Sequence, residues 1–250
     1  MEAALVPVVL SPLSLSALLD YVLSIQTSST LTSLIICSSR ETFLFALSRS
    51  LDQDNGGDAD NLQRLMSPTL HNLVTARHVN VAFCASVQAL LAYLTAYGAT
   101  KHALDAREEK GRIVLVNPLA LHAPTPSFSA QGLSRTFATA AETALRLRVQ
   151  LLVVECLGAV RATNVHDETE EDEVAAAMAR DEEPHETENI DQDPWEQEVP
   201  VLNVSVRRYG LGGAERAWAG RTIKVKRIAS RWFRFDESER KSAVGQGGGG

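Results

Sequence analysis

The stretch from residue 112 to residue 156 constrains the fold most, because it has the pattern strand, loop, helix, strand. Residues 112–117 and 149–155 are continuous apolar runs that end in a polar residue, Asn117 and Glu155. Between them, apolar residues recur at helical spacing: Leu133, Phe137, Ala140, Ala144, Leu145 and Leu147. Such runs joined by a helix are typical of parallel strands buried on both faces. Ligands of such sheets bind beyond the carboxyl ends of the strands, so Asn117 and Glu155 mark the edge where chemistry is expected.

The preceding residues repeat this alternation of strand and helix. Ser11 and Pro12 are typical of the start of a first helix, and residues 31–37 predict a buried strand before a second helix. Strand signals at residues 70–74 and 78–84 are counted as one strand, and residues 86–97 predict another helix. The order up to Glu155 is then α-β-α-β-α-β-α-β. It predicts an α/β fold with a mostly parallel sheet flanked by helices and connected by right-handed crossovers.

The net charge of −7 conceals two oppositely charged segments. Residues 163–198 hold fifteen acids and one basic residue, Arg180, which predicts a disordered insertion after a core at residues 1–162. Residues 207–241 hold eleven Lys or Arg against four acids. Within residues 199–236, short apolar runs predict antiparallel strands that complete the sheet. Residues 237–250 are expected to be a disordered tail.

The remaining composition argues against several classes of protein. The cysteines Cys37, Cys84 and Cys156 lie far apart in apolar runs, which indicates buried, reduced thiols in an intracellular protein. The six histidines lack metal-ligand spacing, so neither a metal nor a cofactor is expected. No apolar run is as long as a membrane span, and the N-terminal segment lacks the basic start of a signal peptide.

A sheet of this kind suits nucleotide binding, which can be tested at the first predicted strand-to-helix turn, residues 37–42. A phosphate-binding loop needs glycines and then a lysine and a hydroxyl residue, but this turn has no glycine. If Thr42 provides the hydroxyl, Glu41 stands where the lysine belongs and repels phosphate. Asn117 likewise has no charge with which to hold magnesium. We therefore interpret Ser39, Arg40, Glu41, Thr42 and Asn117 as a degenerate nucleotide site without catalytic residues, and the turn itself as an ordinary capped helix start.

The basic segment suggests contact with DNA, since cations neutralise phosphates and aromatic faces stack on bases. The candidate DNA-binding residues are Arg221, Lys224, Lys226, Arg227 and Arg231. The alternative is that Lys224, Lys226 and Arg227 form the solvated side of an edge strand. The tryptophans are expected to be core or partner contacts more often than base stackers. The acidic block is by default a solvating loop, with competition against DNA for the basic strands as the alternative.

The chain resembles the RecA-like recombinase paralogues of eukaryotes in a degenerate form. The matching features are the strand that ends Leu115-Val116-Asn117, the loop 122–129 with two prolines, the helix that contains Ser134-Arg135-Thr136-Phe137, and the strand 151–155. The similarity covers about residues 31–161 and resembles most a small accessory paralogue of the Shu-complex type. It implies a nuclear, non-catalytic subunit that pairs with a protein partner such as a recombinase, binds DNA and supports homologous recombination and DNA repair.

Two other functions fit the same residues. The first alternative is an accessory subunit of Elongator, since these subunits share a RecA-like fold, lack phosphate loops and bind tRNA. The second alternative is an ATPase with an unusual phosphate-binding loop. Both assembly readings predict an exposed edge strand and apolar helix faces, and therefore poor solubility of the isolated chain.

Overall fold

Eight strands run through the described part of the chain, whose computed structural model describes residues 5–27, 30–54, 69–97, 110–157, 193–202 and 221–236. They are β1 (Val8–Val9), β2 (Thr30–Ile36), β3 (Val79–Phe83), β4 (Lys110–Val116), β5 (Gln150–Val154), β6 (Glu198–Pro200), β7 (Thr222–Lys224) and β8 (Arg234–Phe235). Six of these strands form one sheet in the order β3-β2-β4-β5-β1-β8, and every pairing within it is parallel. β6 and β7 form a separate antiparallel pair.

Helices cover both faces of the main sheet. They are α1 (Leu15–Ser24), α2 (Arg40–Asp54), α3 (Leu70–Ala76), α4 (Val87–Ala96), α5 (Pro118–His122), α6 (Ala130–Leu147) and α7 (Val225–Ala229), with a 3₁₀ turn at Pro194–Glu196. Of these helices, none is both long enough and apolar enough to cross a bilayer.

Alternation along β4 divides the core into two layers. Val114 and Val116 pack with α1 and α2 on one face, while Ile113 and Leu115 pack with α4 and α6 on the other. Successive side chains of a strand point to opposite faces, so a strand covered on both sides must be apolar throughout. All four of these residues are at most 1% exposed. The predicted α/β class, a mostly parallel sheet flanked by helices with a small antiparallel pair, is confirmed.

The N-terminal half differs from the prediction in three places. The chain begins the sheet with β1, which the sequence did not indicate because two residues are too short for a pattern. The first helix is capped by Ser14, whose Oγ accepts the Ala17 N–H at 3.2 Å, and not by Ser11. The predicted strand signal at residues 70–74 is wrong, because Leu70, Leu73 and Val74 follow helical spacing in α3.

The C-terminal residues differ in how they pair. The prediction of antiparallel strands holds for β6 and β7, whereas β8 joins the main sheet parallel to β1: the Arg234 N–H donates to the Pro7 carbonyl at 2.9 Å. The predicted strand over residues 222–228 ends at Lys224. Val225, Ile228 and Ala229 are buried at helical spacing in α7. The last six residues of the predicted acidic insertion, 193–198, are folded, and residues 237–250 lie outside the described residues.

Candidate functional site

The predicted nucleotide turn after β2 is a capped helix start. Ser39 Oγ accepts the Thr42 N–H at 3.1 Å and lies 3.0 Å from Thr42 Oγ1, so both hydroxyls serve the cap. Arg40 and Glu41 are exposed on the first turn of α2. The N–H of Glu41 and the Ser39 hydroxyl hydrogen-bond the carboxylate and lower the pKa of Glu41. This turn therefore presents an anion, held by the helix itself, where a phosphate would need cations.

The first strand-to-helix turn of the chain is residues 10–14, not residues 37–42, because β1 precedes β2. This turn also lacks both glycine and lysine. Leu13 forms a parallel bridge with Cys156, and the Leu157 N–H donates to the Leu13 carbonyl at 2.8 Å. The backbone therefore continues alongside β5 instead of turning its N–H groups toward a phosphate.

Asn117 ends β4 and fastens it to β5. Its backbone is left-handed, with φ of 58°, a conformation that asparagine tolerates better than most residues. Its N–H donates to the Val154 carbonyl at 2.8 Å, and its Oδ1 accepts the Cys156 N–H at 2.6 Å. The predicted magnesium position therefore holds an amide whose oxygen already binds backbone.

Glu155 makes the reciprocal contact at the end of β5. Its Oε1 accepts the Leu119 N–H at 2.5 Å and its Oε2 accepts the Ala120 N–H at 3.4 Å, in the first turn of α5. The side chain is 3% exposed, and this burial raises the pKa of Glu155 to about 8 despite the two hydrogen bonds, which oppose the shift. The carboxyl group is therefore mostly protonated at neutral pH. Together, Asn117 and Glu155 close the carboxyl edge of the sheet.

Further buried groups complete this closed edge. Cys37, Cys84 and Cys156 follow β2, β3 and β5, and burial raises the pKa of all three thiols. His122 is buried, with its Nδ1 at 3.2 Å from the Ser127 carbonyl and its Nε2 at 2.9 Å from Thr136 Oγ1. The carbonyl can only accept, so Nδ1 carries the proton.

Burial lowers the pKa of His122 to about 4, which keeps the ring neutral. Among the described residues, no three possible ligands lie together as a metal site.

The second candidate site is a groove of about 1050 Å³ beside β8, which we call the basic groove. It lies between β7, α7 and β8, and its lining residues include Lys224, Lys226, Arg227, Arg234 and Phe235. Two acids, Glu198 and Asp236, also line it. Four cations and an aromatic ring around one groove suit a ligand that carries phosphates and flat bases.

Glu196 lies against this cationic cluster. Its two carboxylate oxygens pair with Lys224 Nζ at 3.0 Å and with Lys226 Nζ at 3.1 Å. These hydrogen bonds from the lysines lower the pKa of Glu196. Lys226 Nζ also lies 5.5 Å from the centre of the Phe235 ring, within the range of a cation–π contact. The lysines are therefore fixed in position by a carboxylate and an aromatic ring.

The structure brings three of the five predicted DNA-binding residues together. Lys224, Lys226 and Arg227 line the basic groove, whereas Arg221 and Arg231 are exposed and do not line it. Sequence reasoning omitted Arg234 and Phe235 from the predicted site. The sequence did indicate them, because residues 232–235 alternate a cation with aromatic residues and were predicted as a last strand.

Trp195 anchors the groove to the core. It is 1% exposed, and its ring lies 6.3 Å from Phe137 and 5.6 Å from Phe235. The prediction that the tryptophans of the basic segment are core or partner contacts concerns Trp218 and Trp232, and Trp195 lies outside that segment. Trp232 is 37% exposed, and Trp218 lies outside the described residues.

The opposite edge of the sheet exposes apolar side chains. On the edge strand β3, Val81 is 52% and Phe83 is 38% exposed. The flanking helices α2 and α3 add Leu44, Phe45, Leu70, Leu73 and Val74, each at least half exposed. We call this set the β3 edge surface, and it has the exposed strand and apolar helix faces predicted for a complex subunit.

The topology defines an α/β protein with a parallel sheet between two helical layers. No protein-family model matches the chain, and no curated protein matches it. Similar solved structures include that of a DnaB-like replicative helicase and its interactions with primase, at 12% identity and a TM-score of 0.35. Another is an ATPase domain, at 12% identity and a TM-score of 0.36.

The two alignments cover 62% and 60% of this chain. They span 39% of the helicase and 57% of the ATPase domain. The fold class stated above rests on the strand order and pairing of this chain.

Proposed function

We propose that the chain is a non-catalytic subunit of the recombinase-paralogue type, similar to the accessory subunits of the Shu complex. It supports homologous recombination and DNA repair in the nucleus by binding DNA and a protein partner such as a recombinase. The observation that carries this proposal is the basic groove, whose four cations are held by β7, α7 and β8.

The closed edge of the sheet supports a role without nucleotide hydrolysis. The two strand-to-helix turns at this edge, residues 10–14 and 37–42, lack the glycines and the lysine of a phosphate-binding loop. The Asn117 amide oxygen and the Glu155 carboxyl group accept hydrogen bonds from backbone. Opening the site to a triphosphate would break these bonds and leave buried donors without partners, which costs about 1–3 kcal/mol for each group.

The β3 edge surface supports assembly with a partner. An edge strand offers unpaired backbone groups, and apolar side chains beside it gain free energy when they are covered, at about 25 cal/mol per Å². A subunit with this surface is expected to be soluble and stable mainly in a complex.

Binding to labelled single-stranded DNA, double-stranded DNA and tRNA, measured across a salt series, tests the nucleic-acid half of the proposal. We expect DNA to bind through phosphate contacts and its affinity to fall steeply as salt rises. Preference for tRNA, with co-purification of Elongator subunits, would favour the Elongator reading instead. Saturable binding of magnesium and ATP would favour the atypical ATPase.

A further inference from the structure

The residues around Glu196 carry an inference that rests on the proposed function and adds its regulation. We propose that the Glu196 carboxylate is an internal competitor that occupies the position where a nucleic-acid phosphate pairs with Lys224 and Lys226. The basic groove is therefore self-inhibited, and nucleic acid binds it by displacing Glu196.

The geometry of the contact matches that of a bound phosphate. One carboxylate spans two ammonium groups, at 3.0 Å and 3.1 Å, with a different oxygen on each. A phosphodiester also presents two anionic oxygens on one centre, so it can replace the carboxylate at both lysines. Lys224 is 57% and Lys226 33% exposed, which leaves the ammonium groups accessible to a ligand from solvent.

The backbone on both sides holds Glu196 in place. On the N-terminal side of Glu196, the Trp195 side chain is buried, and the backbone N–H of Trp195 donates to Asp193 Oδ1 at 3.0 Å. After it, the Val225 N–H donates to the Gln197 carbonyl at 2.9 Å. A group fixed in this way competes at a high effective concentration without a large loss of entropy. It also yields to a polyanion that makes several contacts at once, because exposed ion pairs are individually weak.

The position of Glu196 in the sequence gives this contact a wider role. Glu196 lies near the C-terminal end of the acidic block, and thirteen more acids precede it in residues 163–195. Among the described residues of this block, Glu196 is the one whose carboxylate pairs with Lys224 and Lys226. The ion pairs of Glu196 with Lys224 and Lys226 therefore identify one contact at which the acidic block would compete with DNA.

Glu196→Gln tests the proposal, with Glu142→Gln as the matched control. Both changes remove one negative charge, but Glu142 is exposed on α6 and does not line the basic groove. The probe is a fluorescein-labelled oligothymidylate, and anisotropy is measured from low salt to about 0.15 M salt. Glu196→Gln is expected to raise affinity about three- to tenfold, and Glu142→Gln less than about twofold.

The salt dependence gives an independent readout. Once Glu196 no longer neutralises the lysines, each phosphate contact releases counterions, and the slope of log affinity against log salt steepens by up to about 1. Thermal melting verifies that both variants are folded, and Glu196→Ala repeats the test without a polar group.

The outcomes separate the inference from the function on which it rests. If the unmodified chain binds the probe and both variants bind equally well, Glu196 does not compete and the inference is wrong, while the proposed DNA-binding function stands. If neither the unmodified chain nor Glu196→Gln binds the probe at low salt, both are wrong.

Discussion

The carboxyl edge of the sheet and the basic groove use polar side chains in opposite ways. At the edge, the Asn117 side chain accepts a hydrogen bond from the backbone just after β5. The Glu155 side chain accepts a hydrogen bond from the backbone just after β4. In the groove, Lys224 and Lys226 pair with the Glu196 carboxylate and keep part of their accessible surface. The comparison shows that polar side chains at one place of an α/β fold are occupied by hydrogen bonds to backbone, while charged side chains elsewhere on the same core remain accessible to solvent.

The largest expected effect concerns whether the basic groove is part of the core. Trp195→Ala removes a ring packed on Phe137 and Phe235, and core substitutions of this size cost about 3–5 kcal/mol. Urea unfolding is expected to show this loss in one cooperative transition. Trp195→Phe is the control and should cost less than about 1.5 kcal/mol, because it keeps an aromatic ring. A native stability for Trp195→Ala would mean that the groove is an independent attachment.

The second prediction concerns the closed edge and its dependence on pH. The folded chain holds the Glu155 proton up to about pH 8, while the unfolded chain releases it near pH 4.5, so stability falls as pH rises between these values. His122 has the opposite sign: its lowered pKa costs stability as pH falls below 6.5. Above pH 6.5 His122 is neutral in the folded chain and mostly neutral in the unfolded chain, so its effect fades as pH rises. The Glu155 contribution between pH 6.5 and 8 is at most about 2 kcal/mol.

Glu155→Gln should flatten this fall between pH 6.5 and 8 in urea unfolding. The amide oxygen can still accept the Leu119 N–H, but the amide nitrogen faces the Ala120 N–H, so some stability is lost at every pH. If the free energy of unfolding of Glu155→Gln depends on pH as it does in the unmodified chain, the raised pKa of Glu155 is not the cause of the fall.

The third prediction contrasts cations in the two regions. Replacing Lys224 and Lys226 with alanine should lower affinity for single-stranded DNA about tenfold and reduce the salt slope by about 1.4. The matched control replaces Arg40 and Arg49, two exposed arginines of α2, the helix that begins at the closed edge, with alanine. Equal losses in both double variants would mean that net charge, and not the groove, determines binding.

The smallest expected effect is at the β3 edge surface. Val81→Lys places a charge on an edge strand at a half-exposed position, which should raise soluble yield and change stability by less than about 0.5 kcal/mol. The control is Val149→Lys, since Val149 is partly buried against the core and its replacement should destabilise the fold. A lower soluble yield of Val81→Lys would count against an exposed edge.

The elements that the sequence predicted well are those with strong local patterns. β4, β5 and α6 were found because both faces of the strands are buried and the helix has a clear apolar period. Ser39 was predicted as a cap because capping depends on four neighbouring residues. β1 is two residues long and exists only through pairing with distant residues, so no local pattern marks it, whereas β8 lies within residues 232–235, which the sequence predicted as a last strand.

The same distinction separates the two candidate sites. The missing glycines at residues 37–42 are visible in the sequence. The exchange between Asn117 and Glu155 depends on the register of β4 against β5, and the contact of Glu196 with Lys224 joins residues 28 positions apart. Residue types alone do not predict which polar side chains will form hydrogen bonds with the backbone and which will remain accessible to a ligand.

Hydrogen–deuterium exchange with mass spectrometry compares both regions in one measurement, on the same full chain with magnesium and ATP or with single-stranded DNA. We expect DNA to protect peptides that cover residues 194–200 and 222–236, and magnesium and ATP to leave exchange at residues 10–14, 37–42 and 117–122 unchanged. Protection of those three turns by magnesium and ATP, with no protection of the groove by DNA, would contradict this expectation.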